Sequence, residues 1–166
     1  MPEIILDCCC ISNFALADSL FVLEKIYSHS SQSSYITNFV VSEIMRGIQQ
    51  GHKDLRKIQA ALKEGWLQET SLITQKEESL FETLSVSLGL GEASSIAIAK
   101  TRGFIFASDD RAARREAGLL EVKLTGTLGI LKKAVNRKKI SRNEGNLILA
   151  KMVKTGFYSP IKSLNL

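Results

Sequence analysis

Five acidic residues stand where a chain usually passes from one element to the next. Asp7 closes the apolar run "IIL", Glu43 lies in "VVSEIMRGI", Glu92 opens "GEASSIAIA", and Asp109 with Asp110 ends "FIFASDD". Carboxylates gathered without histidine or cysteine are oxygen ligands for a hard divalent cation. Mg²⁺ or Mn²⁺ held in this way keeps several waters, activates one of them and clamps a phosphate, which is the chemistry of metal-dependent nucleases. The same residues also have ordinary uses. Ser108 or Asp109 can cap a following helix, Asp110 and Glu92 suit the positive end of a helix dipole, Asp7 can end a strand, and Glu43 can lie on a solvated helix edge. Chemistry is the better account only if the acids meet.

Other catalytic systems find little support. The histidines are His29 and His52, and neither has metal-ligand spacing to a second histidine or to a cysteine. The three cysteines run consecutively as "CCC" at 8–10, so they neither close a loop by a disulfide nor complete a zinc site with a second cluster. They are expected to be small buried thiols at a strand end.

The elements that must position the acids follow from hydrophobic patterning. Short apolar runs alternate with helical patterns, and no linker or repeat interrupts them, which implies a parallel sheet flanked by helices. Strands are expected at 3–7, 34–37, 66–70, 104–108 and 121–125, and helices at 12–27, 38–49, 54–65, 75–89, 91–103, 126–138 and within 141–156. A further helix is expected to start at the arginines after Asp110. Within 38–49, Val40, Val41, Ile44, Met45 and Ile48 form one apolar arc with Glu43 at its edge. Glu92 heads a short helix of small residues leading into the fourth strand. If the first and fourth strands are neighbours, Asp7, Asp109 and Asp110 converge at the carboxyl edge of the sheet, and Glu43 and Glu92 can reach the same crevice.

A chain of 166 residues, 45% hydrophobic, buries one ordinary core, so a single domain spanning 1–166 is expected. "MPEIILD" lacks the basic start of a secretory signal, and no apolar run approaches a membrane span, so the expected location is the cytoplasm. Lysine and arginine number 22 against 17 acidic residues, for a net charge of +5, with basic clusters at "DDRAARR" and "KKAVNRKKISR". This excess permits a polyanionic partner without demanding one.

Taken in order, "IILD", "VVSEIMRGI", "GLGEASSIAIA" and "ASDDRAAR" resemble the PIN domain, the small α/β nuclease fold of toxin–antitoxin ribonucleases. The resemblance extends to a VapC-like group with a "GTLGIL" segment after the fifth strand, and it covers nearly the whole length of the chain. It implies a PIN-like three-layer α/β sandwich around a central, mainly parallel five-stranded sheet. It also implies a metal-dependent endoribonuclease that cleaves RNA phosphodiester bonds, as the toxin component of a toxin–antitoxin pair.

Carried over, it makes Asp7, Glu43, Glu92 and Asp110 the catalytic acids and, with Asp109, the ligands of Mg²⁺ or Mn²⁺. Ser108 matches the small hydroxyl residue before the last acid. Arg111, nearest the aspartates, is the best placed to guide phosphate, ahead of Arg114 and Arg115. RNA, an antitoxin protein and a second copy of the chain are the implied partners, and no membrane is involved. Two positions depart from the pattern: Cys8 stands where Ser or Thr is usual, and Glu92 where Asp is usual. The competing class is a PIN-fold RNA- or protein-binding module without catalysis. A phospho-acceptor receiver domain ranks lower, because its acidic pair belongs near the first strand.

Overall fold

The structure, a computed structural model, describes residues 2–28 and 33–165. His29 and residues 30–32 of the serine-rich stretch lie outside them. Five strands, β1 Ile4–Leu6, β2 Ser34–Thr37, β3 Leu67–Thr70, β4 Ile105–Ala107 and β5 Leu124–Thr125, form one sheet in the order β3-β2-β1-β4-β5. Every pairing is parallel, so the sheet expected to be mainly parallel is wholly so. The helices are α1 Cys8–Leu16, α2 Leu20–Tyr27, α3 Asn38–Gln49, α4 Arg56–Glu64, α5 Gln75–Leu84, α6 Leu90–Arg102, α7 Arg111–Leu119, α8 Thr127–Asn136 and α9 Arg142–Lys154.

Burial on both faces explains the strand composition. Ile4, Leu6, Ile36 and Ala107 join one core with α1–α4, α8 and α9, while Ile5 and Phe106 point into a second core with α5–α7. Alternate residues feed opposite cores, so a strand in the middle of this sheet must be apolar throughout. Helix α6 is buried along most of its length, from Ala93 to Ala99. Its small residues let it pack closely, and the Ser94 hydroxyl bonds that of Thr37 at 2.9 Å.

Two local expectations are corrected. The helix expected at 12–27 is two helices: α1 starts at Cys8, and the chain turns at Asp18 (φ +54°) before α2. The apolar periodicity continues across this corner because both helices cover the same core. The cysteines therefore form the first turn of α1 rather than a strand end. A helix turns successive side chains by about 100°, so Cys10 is buried, Cys8 is half-buried and Cys9 is exposed.

A buried ion pair holds the second core at the sheet margin. The Arg102 Nε donates to Glu77 Oε1 at 2.7 Å, and its other nitrogens bond Thr70 Oγ1 and the Ser71 carbonyl, each at 2.8 Å. The Arg102 bonds hold the Glu77 carboxyl at about 2, below its ordinary 4.5. Arg102→Met strands a buried carboxylate, so it should cost roughly 3–5 kcal/mol at pH 7 in urea unfolding. Because the folded pKa is depressed, this contribution is complete above pH 4.5 and disappears as the pH falls through about 2. The difference between parent and variant should therefore shrink at pH 3.

Candidate active site

The sheet order reverses at β1, whose neighbours are β2 and β4, and here the crevice at the carboxyl edge opens. Leu6 pairs with Ala107, and the Asp7 N–H donates to the Ala107 carbonyl at 3.0 Å. Asp7 therefore lies beside the start of Ser108–Asp109–Asp110. The helices leaving these two strands diverge, α1 into one core and α7 into the other. Each begins on an aspartate. Asp7 Oδ1 accepts from the Cys10 N–H at 2.8 Å and caps α1, and Asp110 Oδ2 accepts from the Ala113 N–H at 2.8 Å and caps α7.

Asp7 is 2% exposed, and its second oxygen, Oδ2, is buried with no hydrogen-bond partner among the described residues. Burial pushes its carboxyl up to about 7. The Ser108 hydroxyl and the Cys10 N–H pull the other way, while Asp109 and Glu92 add to the rise. A carboxylate deep in a protein with one oxygen unsatisfied is costly unless something cationic or protic meets it.

Glu43, on α3 of the first core, and Glu92, at the head of α6 of the second, close the crevice. A Cβ on Gly91 would collide with Glu43 Oε1 and lie 3.1 Å from Val40 Cγ2, so the missing side chain at Gly91 is what lets the Glu43 carboxylate rest against α6. Glu92 bends back to accept from the Gly89 N–H at 3.3 Å. Its carboxyl is raised by burial and then by Asp110 and Glu43. The Cys9 thiol, although exposed at its surface, senses the whole group: partial loss of water around the sulfur pushes it up to about 11, and Asp7, Glu92, Glu43 and Asp110 all contribute. The four acids thus surround one patch, although among the described residues no three such side chains are disposed as a ready metal-binding set. Mutual repulsion and nearby backbone N–H donors give the physical reason, since Asp7, Glu92 and Asp110 each turn toward a donor of their own.

Asp109 is held by hydrogen bonds within the fold. Its Oδ1 accepts from the Thr127 N–H at 2.9 Å, and Oδ2 accepts from the Thr127 hydroxyl and from Asn13 Nδ2 at 3.3 Å. Both oxygens are committed to tying β4, α1 and α8 together. Ser108 is fully buried, and its Oγ accepts from the Asp110 N–H at 3.1 Å, which shapes the turn beneath the acids. Arg114 is also a brace, donating to the Ser108 and Thr125 carbonyls at 2.7 and 2.8 Å. Arg111 is exposed at the head of α7, and its guanidinium makes no hydrogen bond or ion pair among the described residues.

Asn13, Thr127, Gly91 and Gly126 escaped the sequence reading as parts of this site. The signal for two of them was the "GTLGIL" segment. A Cβ on Gly126 would stand 2.6 Å from Asp109 Oδ1 and 3.1 Å from the Ser108 carbonyl, so only glycine lets α8 bring Thr127 onto Asp109.

This defines a class: a parallel α/β fold with carboxylates gathered at its switch point. The family profile described as PIN domain matches residues 3–165, and the chain belongs to that family. Among solved structures it is similar to VapBC2 from Rickettsia felis bound to a DNA fragment from their promoter. The identity is 12% and the TM-score 0.58, with 75% of this chain and 98% of the other covered. It is likewise similar to VapBC-1 from nontypeable Haemophilus influenzae, at 8% identity and a TM-score of 0.57 with the same coverage. At such identities the likeness establishes the fold. No curated protein sequence matches significantly. Among the described residues no helix is long and apolar enough to cross a membrane.

The raised Asp7 carboxyl makes the metal-free protein sensitive to pH. The folded state keeps a proton that the unfolded state releases near pH 3.8, so the contribution of Asp7 to stability is greatest below that value and is lost as pH rises through about 7. The loss should be on the order of a few kcal/mol. Asp7→Asn retains a capping side chain and removes the charge. In EDTA the variant should match the parent near pH 5 and exceed it at pH 8 in urea unfolding. A parent whose stability is flat between these pH values would contradict the geometry.

Proposed function

We propose that this protein is a divalent-metal-dependent endoribonuclease and the toxin half of a toxin–antitoxin pair. One observation carries the reading: at the switch point Asp7 presents a buried carboxylate oxygen with no hydrogen-bond partner among the described residues, in the field of Asp109 and Glu92. The donor set is all oxygen, which fits Mg²⁺ or Mn²⁺ and not a thiophilic ion. Asp7, Glu43, Glu92 and Asp110 would hold the ion, which when bound supplies an acidified water and charge neutralisation at phosphate. Asp7 anchors the site from the strand, while Asp110 and Glu92 reach in from two helix ends. Glu43 lines a cleft of about 750 Å³ beside the site. Ser108 keeps the Asp110 turn in shape, and Arg111 offers a free guanidinium to the phosphate backbone.

The VapBC structures of the same fold support an antitoxin partner for this chain, and we extend the proposal to that partner and to a homodimer. The rival reading, a binding module without catalysis, draws on the local hydrogen bonds that occupy Glu92 and Asp110. Substitution separates the two. Mg²⁺ or Mn²⁺ should raise the melting temperature of the parent and barely move that of Asp110→Asn. RNA cleavage should fall by about 10²-fold or more, since even residues supporting a metal ligand carry effects of that order. Asp109→Ala should instead lose roughly 1–3 kcal/mol of stability and keep its thermal response to metal. An Asp110→Asn protein that still cleaves RNA and still gains stability from metal would remove that residue from the site.

A further inference from the structure

The acids lie between two open clefts that they do not fill. On one side a cleft of about 750 Å³ runs along α3 and the head of α6, lined by Phe39, Ser42, Glu43, Arg46, Leu90 and Glu92. Arg46 follows Glu43 by three residues, so both lie on one face of α3. Its guanidinium is exposed and makes no hydrogen bond or ion pair among the described residues. Phe39 forms an aromatic wall through its stacking on Phe81, with ring centroids 5.1 Å apart. On the other side a cleft of about 350 Å³ is lined by Cys9, Asn13, Asp109, Asp110, Phe157 and Tyr158. Glu43 and Glu92 line the first cleft and Asp110 the second, so the two clefts flank the acids from either side.

Tyr158 is conspicuous in the second cleft. It is 90% exposed, more than any other large hydrophobic side chain among the described residues. Its backbone is nonetheless held. The chain turns at Gly156 (φ +112°), the Phe157 N–H returns to the Met152 carbonyl at 2.9 Å, and Ser159 bonds the Ile161 carbonyl at 2.6 Å. Further on, Leu164 is buried, with its N–H on Asn146 Oδ1 at 2.7 Å. A ring presented on a fixed backbone and left in water is a surface for stacking, and a nucleobase offers the matching flat face.

We infer that Arg46 and Tyr158 are the two ends of a track for single-stranded RNA across the acidic crevice, with Arg46 holding a phosphate on the α3 side and Tyr158 stacking a base on the other. The track rests on the nuclease reading for what happens between its ends. Its chemistry selects single strands, because a base within a duplex is already stacked on its neighbours and has no free face for Tyr158. A cation at the rim is required where several carboxylates would otherwise repel the incoming backbone, and Arg46 is the free guanidinium of the larger cleft.

The test uses the full chain with Ca²⁺ in place of Mg²⁺ and follows the anisotropy of a labelled, mixed-sequence RNA 12-mer, single-stranded or as a duplex. Steady-state cleavage is measured in parallel with Mg²⁺ or Mn²⁺. Tyr158→Ala should weaken single-strand binding about tenfold and raise KM with little change in kcat, while Tyr158→Phe restores binding to within about twofold. Duplex binding should be weaker and indifferent to Tyr158→Ala. Arg46→Gln should reduce the slope of log affinity against log salt by about 0.7, and Tyr158→Ala should leave that slope unchanged. Equal affinity for single strand and duplex would overturn the track, as would parental Kd and KM in both variants. If cleavage is absent with every metal while the stacking and salt signatures appear, the nuclease reading fails and the track stands. If cleavage is present and both variants behave as the parent, the track alone fails.

Discussion

The crevice depends on one adjacency, the parallel pairing of β1 with β4. A parallel sheet gathers the carboxyl ends of its strands at one edge, and at the point where strand order reverses, the following helices depart to opposite faces. Here the chain leaves β1 into α1 on one core and leaves β4 into α7 on the other. The Asp7 N–H bond to the Ala107 carbonyl ties the two exits together. An N-cap residue sits at the start of its helix, where backbone N–H groups want an acceptor. Two capped helices diverging from adjacent strands therefore bring two carboxylates to the same edge of the sheet. Capping and cation chemistry are not alternatives at this place, since the first delivers the acids that the second needs.

That geometry has an electrostatic consequence. Asp7, Glu92 and Asp110 are each satisfied locally by a backbone N–H donor, which stabilises the anion, yet they also stand in the field of other acids. Asp7 bears the conflict most, being the most buried, and its Oδ2 has no hydrogen-bond partner among the described residues. Without a cation the balance is kept by a proton on Asp7 and by side chains turned toward their own helices. Metal and proton would compete for the same oxygen, so a site of this kind binds its ion more tightly as the pH rises.

Much of this was legible in the residues. The apolar runs "IIL" and "FIFA", each ended by an acid, indicated strands buried on both faces, and alternation with helices indicated parallel order. The neighbourhood of β1 and β4 was a condition that only the topology could meet, because strand order is not written in local periodicity. The break between α1 and α2 was hidden because both helices face one core, and the pattern of apolar residues has no gap at Asp18. The exposure of Cys9 followed from a helix that starts four residues earlier than expected. Arg46 and Tyr158 carried no signal at all, since an arginine on a helix and a tyrosine near a terminus are commonplace until a cleft is seen beside them.

The double aspartate shows how one short stretch serves two tasks. Successive residues leaving a strand point to opposite sides, so Asp109 and Asp110 cannot address the same partner. Asp109 turns to the first core's side, where it supplies to the Thr127 N–H the acceptor that α8 lacks at its own N-cap, Gly126. Asp110 turns to the other side, caps α7 and faces Glu92. The bareness of Gly126 is what brings α8 close enough for the first contact, and that contact fixes the backbone from which the second carboxylate extends. Loss of Asp109 would then loosen the frame and leave the acidic group intact, whereas loss of Asp110 would spare the frame, given any side chain able to cap, and empty the site of a ligand. Two adjacent like charges persist at a strand end because they are separated by direction: one is neutralised by hydrogen bonds within the fold, and the other is left facing the crevice.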